Sequence, residues 1–123
     1  MTASNGVKID LTNIIDSIDA NKFIDEYRKN AQEELKKLLK DISDSSDREE
    51  LEVASNKLIE LYEQMCIASK EDKDSVQRTL NSYKSIIAAI SARHKLDYVN
   101  KIIAICKQSA IIAITLAVKF VAL

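Results

Sequence analysis

Proline is absent from these 123 residues, tryptophan is absent too, and glycine occurs once, at Gly6. Strands and hairpins draw their turns from such residues, so a chain this poor in turn punctuation is predicted to be all-α. Aromatic residues make up 5%, which makes the expected core aliphatic. A single glycine leaves no glycine-rich phosphate loop. Histidine is equally scarce, with His94 standing alone. Di-iron bundles need two inward-facing Glu-x-x-His elements, and zinc sites built from cysteine and histidine need several ligands at motif spacing. Cys66, His94 and Cys106 are too scattered for that. His94 falls on an apolar helix face and reads as a packing histidine.

The two cysteines, Cys66 and Cys106, both fall on apolar helix faces. They read as free buried thiols of a reducing compartment rather than as a disulfide scaffold. The N-terminus lacks the basic-then-apolar order of a signal peptide, which predicts synthesis in the cytosol without cleavage and a location that is cytoplasmic or, in the alternative, membrane-associated. No single sign of charge dominates either: 18 basic residues stand against 19 acidic ones, a net charge of −1. Leu96 to Leu123 carry three lysines and one aspartate, or +2, leaving −3 for the first 95 residues. Without a dense basic patch, nucleic acid is not an expected partner.

Catalytic arrangements are missing as well. The serines lie in loops or on polar faces, with no base and orienting group at suggestive spacing. Adjacent carboxylates such as Glu33-Glu34 and Glu49-Glu50 point about 100° apart on a helix, so they form solvated faces and not proton-sharing pairs. The expectation is a non-enzymatic protein without a cofactor or metal.

What the chain does have is helical periodicity. Residues 1–9 read as a flexible lead-in and 10–123 as one helical domain, consistent with its size. From the cap residue Asp10, the residues Leu11, Ile14, Ile15 and Ile18 share one face, predicting a short helix over 10–18. The apolar face then jumps by nearly half a turn, which places a break at Asp19-Ala20-Asn21. A long helix follows over 21–42, with Phe23, Ile24, Tyr27, Ala31, Leu35, Leu38, Leu39 and Ile42 on one side.

Ser43 to Asp47 reads as a loop, and Ser46-Asp47-Arg48-Glu49 as a capping box that opens a helix over 47–69. Leu51, Ala54, Leu58, Leu61, Met65 and Ala68 alternate by three and four along it, the seam of a coiled-coil-like pair. Lys70 to Asp74 reads as a charged corner. A helix over 73–92 follows, with Val76, Leu80, Tyr83, Ile87, Ile90 and His94 on one face and Ile86 at its edge. The apolar face rotates near 91–95, where a bend is favoured over one continuous helix of about fifty residues, near 75 Å at 1.5 Å per residue.

The last helix, 95–122, carries the strongest signal. At 100° per residue, Asp97, Asn100, Lys101, Lys107, Gln108, Thr115 and Lys119 fall within about a third of the circumference. Most of the remainder is apolar, with Ser109 a polar exception. Such a helix must hide most of its surface in its own fold, in a partner or in lipid. Ile102 to Leu123 is long enough for a membrane span of about 20 residues. Against this, a lysine near the bilayer centre, as Lys107 would be, costs about 2.5 to 3.5 kcal/mol.

The fold expected is therefore an antiparallel bundle of four long helices plus a short N-terminal one, with the C-terminal helix central. The function expected is that of a helical interaction protein, such as an adaptor, inhibitor, immunity-type or assembly factor. It would bind a protein partner or itself as a homo-oligomer. The alternative is a small membrane-active or tail-anchored protein, toxin- or holin-like, that inserts its C-terminal helix. In both cases the residues singled out are the stripe Lys107, Gln108, Thr115 and Lys119 and the face Ile112, Leu116 and Phe120.

Overall fold

The computed structural model describes residues 18–94 and 97–122, and within them the chain is helical with no strand. Four helices pack against one another: α1 (Ile18–Leu39), α2 (Ser45–Ile67), α3 (Lys70–Arg93) and α4 (Val99–Ala122). The expected lead-in and the short helix over 10–18 lie outside the described residues, apart from Ile18. Ile18 is itself the first residue of α1, which runs unbroken through Asp19-Ala20-Asn21. The break placed there is corrected: none of these three residues is a proline or glycine, and the backbone continues through them as helix.

Helix boundaries move where capping chemistry was misread. Asp44, not Ser46, is the cap of α2. It holds an extended conformation, and its carboxylate accepts the Asp47 N–H at 3.0 Å, leaving Ser45 and Ser46 inside the first turn. The charged stretch Lys70 to Asp74 is not a corner but the opening of α3. Ser69 Oγ accepts the Asp72 N–H at 3.3 Å and donates to Asp72 Oδ2 at 3.0 Å. Glu71 and Asp72 then sit where the helix dipole favours negative charge. Only Ala68 and Ser69 separate α2 from α3. The bend expected near 91–95 is present, since α3 ends at Arg93, with His94 as its cap, and α4 starts at Val99.

The periodic faces become the core. Leu35, Leu39, Ile42, Leu51, Leu58, Leu80, Ile87, Ile90 and Ile102 are buried together. A second cluster joins Ile24 of α1 to Ala113 and Ile114 of α4. α2 and α4 each touch all three other helices, whereas α1 and α3 barely meet. The cross-section is therefore a flattened diamond, with α2 and α4 across its short diagonal. α2 is covered on several sides, so Ser55, Ile59, Tyr62 and Glu63 are buried beside its expected seam. α3 lies outermost and rests mainly on α2, burying Leu80, Ile87, Ile90 and Ser91.

Where α4 meets its neighbours its side chains are small: Cys106, Ala110, Ala113 and Ala117 have no exposed surface. Small residues let helix axes approach closely. The polar exception Ser109 is explained by this contact, because its hydroxyl crosses to α1 and donates to the Tyr27 carbonyl at 2.9 Å.

Candidate interaction surfaces

The polar stripe of α4 stays at the surface. Lys107, Gln108, Thr115 and Lys119 are all exposed. Ile112, read from sequence as part of the apolar face, is 44% exposed, and Ile111 beside it is exposed to the same extent. Leu116 is half-buried. Phe120 belongs to the last turns of α4, and its side chain falls outside the described residues. The buried arc of α4 is narrower than its apolar arc. Ile105 and Ile112 form an apolar margin between core and stripe, along the groove that α4 shares with α1.

Two grooves run beside this ridge, so the singled-out residues do not form one site. Gln108 and Ile112 face a groove of about 240 Å³ shared with Tyr27, Asn30 and Glu34 of α1. Lys107 and Ile111 face another, of about 280 Å³, shared with Tyr62, Met65 and Lys84. There the Lys84 ammonium sits 5.9 Å from the centre of the Tyr62 ring, within cation–π range.

A larger and more apolar cleft than these two, about 430 Å³, lies elsewhere, between α2 and α3. Val53 and Ile86 face it, 62% and 42% exposed, together with Tyr83 and Ala89. Sequence reasoning placed Ile86 at the edge of a face and did not single out Val53. The available signal was a valine outside the three-four seam of α2, directly after Glu52 and about one turn from Glu50 and Lys57.

At one end of this cleft Asp47 ties the start of α2 to the end of α3. Its carboxylate accepts from Arg93 Nη2 at 3.1 Å and lies 2.6 Å from His94 Nε2. The histidine is therefore a hydrogen-bonded one that closes the α2–α3 hairpin. It lies half-buried at the end of its apolar face.

Sequence reasoning also missed a charged pair that reaches into the core. Glu63 is 4% exposed, and Arg28 of α1 grips it with both ends of its guanidinium. Nε donates to Oε1 and Oε2 at 3.1 and 2.9 Å, and Nη2 donates to Oε1. The hydrogen bonds to Glu63 push the Arg28 pKa up, against the opposing effect of burial. Glu63 sits one turn from both Ile59 and Ile67 on α2. A carboxylate between two isoleucines at i±4 spacing was the sequence signal for a buried acid.

The cysteines are both free, but they differ from expectation in one respect: Cys66 is exposed and Cys106 is buried. Burial pushes the Cys106 thiol up to about 12, and its sulfur lies 3.5 Å from the Ser55 carbonyl. Partial desolvation, with a smaller contribution from Glu63, raises Cys66 as well. The thiolate is the reacting form. In the folded protein a thiol reagent is therefore expected to modify Cys66 alone, faster as pH rises, and to reach Cys106 only in denaturant. Mass spectrometry of the labelled chain distinguishes this from equal modification of both.

Among the described residues no group of three or more His, Cys, Asp or Glu side chains is placed to hold a metal ion. α4 is long and apolar enough by composition to cross a membrane, with a mean hydropathy of 1.8 over Val99–Lys119 and a third of that window buried. Compared with protein-family models, with curated proteins and with solved structures, the chain shows no match.

Proposed function

We propose that the protein acts without catalysis, by binding protein chains through uncovered apolar helix surfaces, as an adaptor, inhibitor, immunity-type or assembly factor of the cytoplasm. In this reading it self-associates, needs no cofactor and has no nucleic-acid partner. Its bundle is antiparallel, with α4 at the centre. The observation that carries the reading is the grouping of its exposed large apolar side chains. Val53 and Ile86 share one cleft, while Ile111 and Ile112 each line a separate groove beside α4. Isolated exposed apolar residues are ordinary on soluble proteins, whereas grouped ones over clefts are what interfaces cover. The test is site-specific photo-crosslinking in cells, with the reactive residue placed at Ile86 or Ile112 and, as control, at exposed Glu33 of α1. Discrete protein adducts from Ile86 or Ile112 and none from Glu33 support the reading. No adduct from either apolar position overturns it.

A second reading is favoured by one observation, the hydropathy of Val99–Lys119 with only a third of the window buried. Here α4 leaves the bundle and enters a bilayer, with its polar stripe facing other copies or water. Departure would uncover Ile24, Leu58 and Leu51, so insertion has to offset the loss of the core. It predicts dye release from liposomes, and loss of release in Leu116→Asp, because a carboxylate on the apolar face of α4 opposes burial in lipid. Liposomes left intact by the native protein remove this reading.

A further inference from the structure

We propose that the cleft holding Val53 and Ile86 is filled by the same cleft of a second copy of this chain, in a two-fold dimer. This rests on the reading of the protein as a self-associating interaction protein, and names one surface and one partner for it. Val53 is 62% exposed and Ile86 42%, and both face the apolar cleft of about 430 Å³ between α2 and α3. A two-fold interface is isologous: whatever lies a given distance to one side of the axis meets whatever lies equally far on the other side. An apolar patch therefore closes on itself best when its flanks carry opposite charges at matching distances.

α2 meets that condition. Glu50 lies three residues before Val53 and Lys57 four residues after it, so both sit about one helical turn away on the same face. With the axis through Val53 and the two α2 helices running in opposite directions, each Glu50 comes opposite the partner's Lys57, twice per dimer. Within its own chain Glu50 faces Arg93 at 3.7 Å, a pair whose side chains are 62% and 57% exposed; so open a pair holds its members weakly. α3 suits the same axis. Ser82 and Ala89, one turn before and after Ile86, are small and exposed, and leave room for a second helix to approach. An unrelated protein or a bilayer would require no such matched opposite charges.

Sedimentation of the full chain over a wide concentration range tests the proposal, with circular dichroism confirming that each variant is folded. A reversible monomer–dimer equilibrium is expected. Val53→Asp, at an exposed site that leaves the core intact, is expected to weaken it about a hundredfold, because the substitution sits at the centre of the interface in both copies. Glu50→Lys and Lys57→Glu are each expected to weaken it about tenfold through like-charge contacts, and the double exchange to restore it. A strictly monomeric chain overturns the proposal while leaving Ile111 and Ile112 open to a different protein. A dimer that survives Val53→Asp places the contact elsewhere and also overturns it. A dimer broken by Val53→Asp but not rescued by the double exchange overturns the two-fold register.

Discussion

Arg28→Met is expected to lower the unfolding free energy by about 2 to 3 kcal/mol, measured by urea denaturation at neutral pH. Removing one member of a fully buried ion pair costs about 3 to 5 kcal/mol, because the other charge is stranded away from water. Here Glu63 is the stranded partner, with its side chain 5% exposed, whereas that of Arg28 is 36% exposed. The expected cost lies below that range because water can reach part of the space the guanidinium leaves. The same asymmetry predicts that Glu63→Leu costs less than Arg28→Met, since an unpaired Arg28 can turn to solvent. Arg28→Met combined with Glu63→Leu is expected to recover stability to within about 1 kcal/mol of the native chain, as apolar replacements of buried pairs commonly do. If both single variants cost the same and the double variant costs their sum, the pair is not acting as a buried one.

The second large effect separates the two sides of α4. Ile102 has no exposed surface, whereas Ile112, ten residues later, is 44% exposed. Ile102→Ala is expected to cost about 2 to 5 kcal/mol, combining lost apolar burial with the cavity left behind. Ile112→Ala is expected to stay within about 0.5 kcal/mol, as surface substitutions usually do. Thermal or urea melts of the two variants decide the matter. Equal, small effects would falsify the placement of α4 within the core and would favour the membrane reading of the same helix.

Much of the architecture was legible because it is written in local spacing. The all-α class, the faces of α1 and α2 and the separation of α3 from α4 follow from apolar residues recurring every three to four positions, and each is found in the fold. The departures at Ile112 and Glu63 share one cause: they depend on what lies opposite a residue, which spacing along the chain does not encode. Ile112 was assigned to a hidden face because α4 is apolar over most of its circumference. The neighbours present cover only part of that arc, and Ile112 falls outside it. Glu63 was not singled out because its partner lies 35 positions away. The cap of α2 moved from Ser46 to Asp44 because both residues can accept an amide, and only the backbone decides which one does. Ser69-Lys70-Glu71-Asp72 carried a legible helix-start pattern that its charge density disguised as a corner. The candidate site was half legible. The stripe Lys107, Gln108, Thr115 and Lys119 is exposed, yet a more apolar cleft belongs to Val53, which no periodic pattern marked, and to Ile86, which stood only at the edge of one.

The bond from Ser109 to Tyr27 joins the first described helix to the last across 82 positions, and Ile24 meets Ala113 and Ile114 beside it. During synthesis, α1 therefore emerges from the ribosome long before the surface it must lie against has been made. The α2–α3 hairpin, closed by a two-residue connection, can assemble early, while α1 waits with its flank uncovered. Completion is then governed by the arrival of the C-terminal helix, and a ribosome stalled before residue 113 would hold a nascent chain prone to sticking to its neighbours. With no proline in the chain, no peptide-bond isomerisation of that kind delays the final closure.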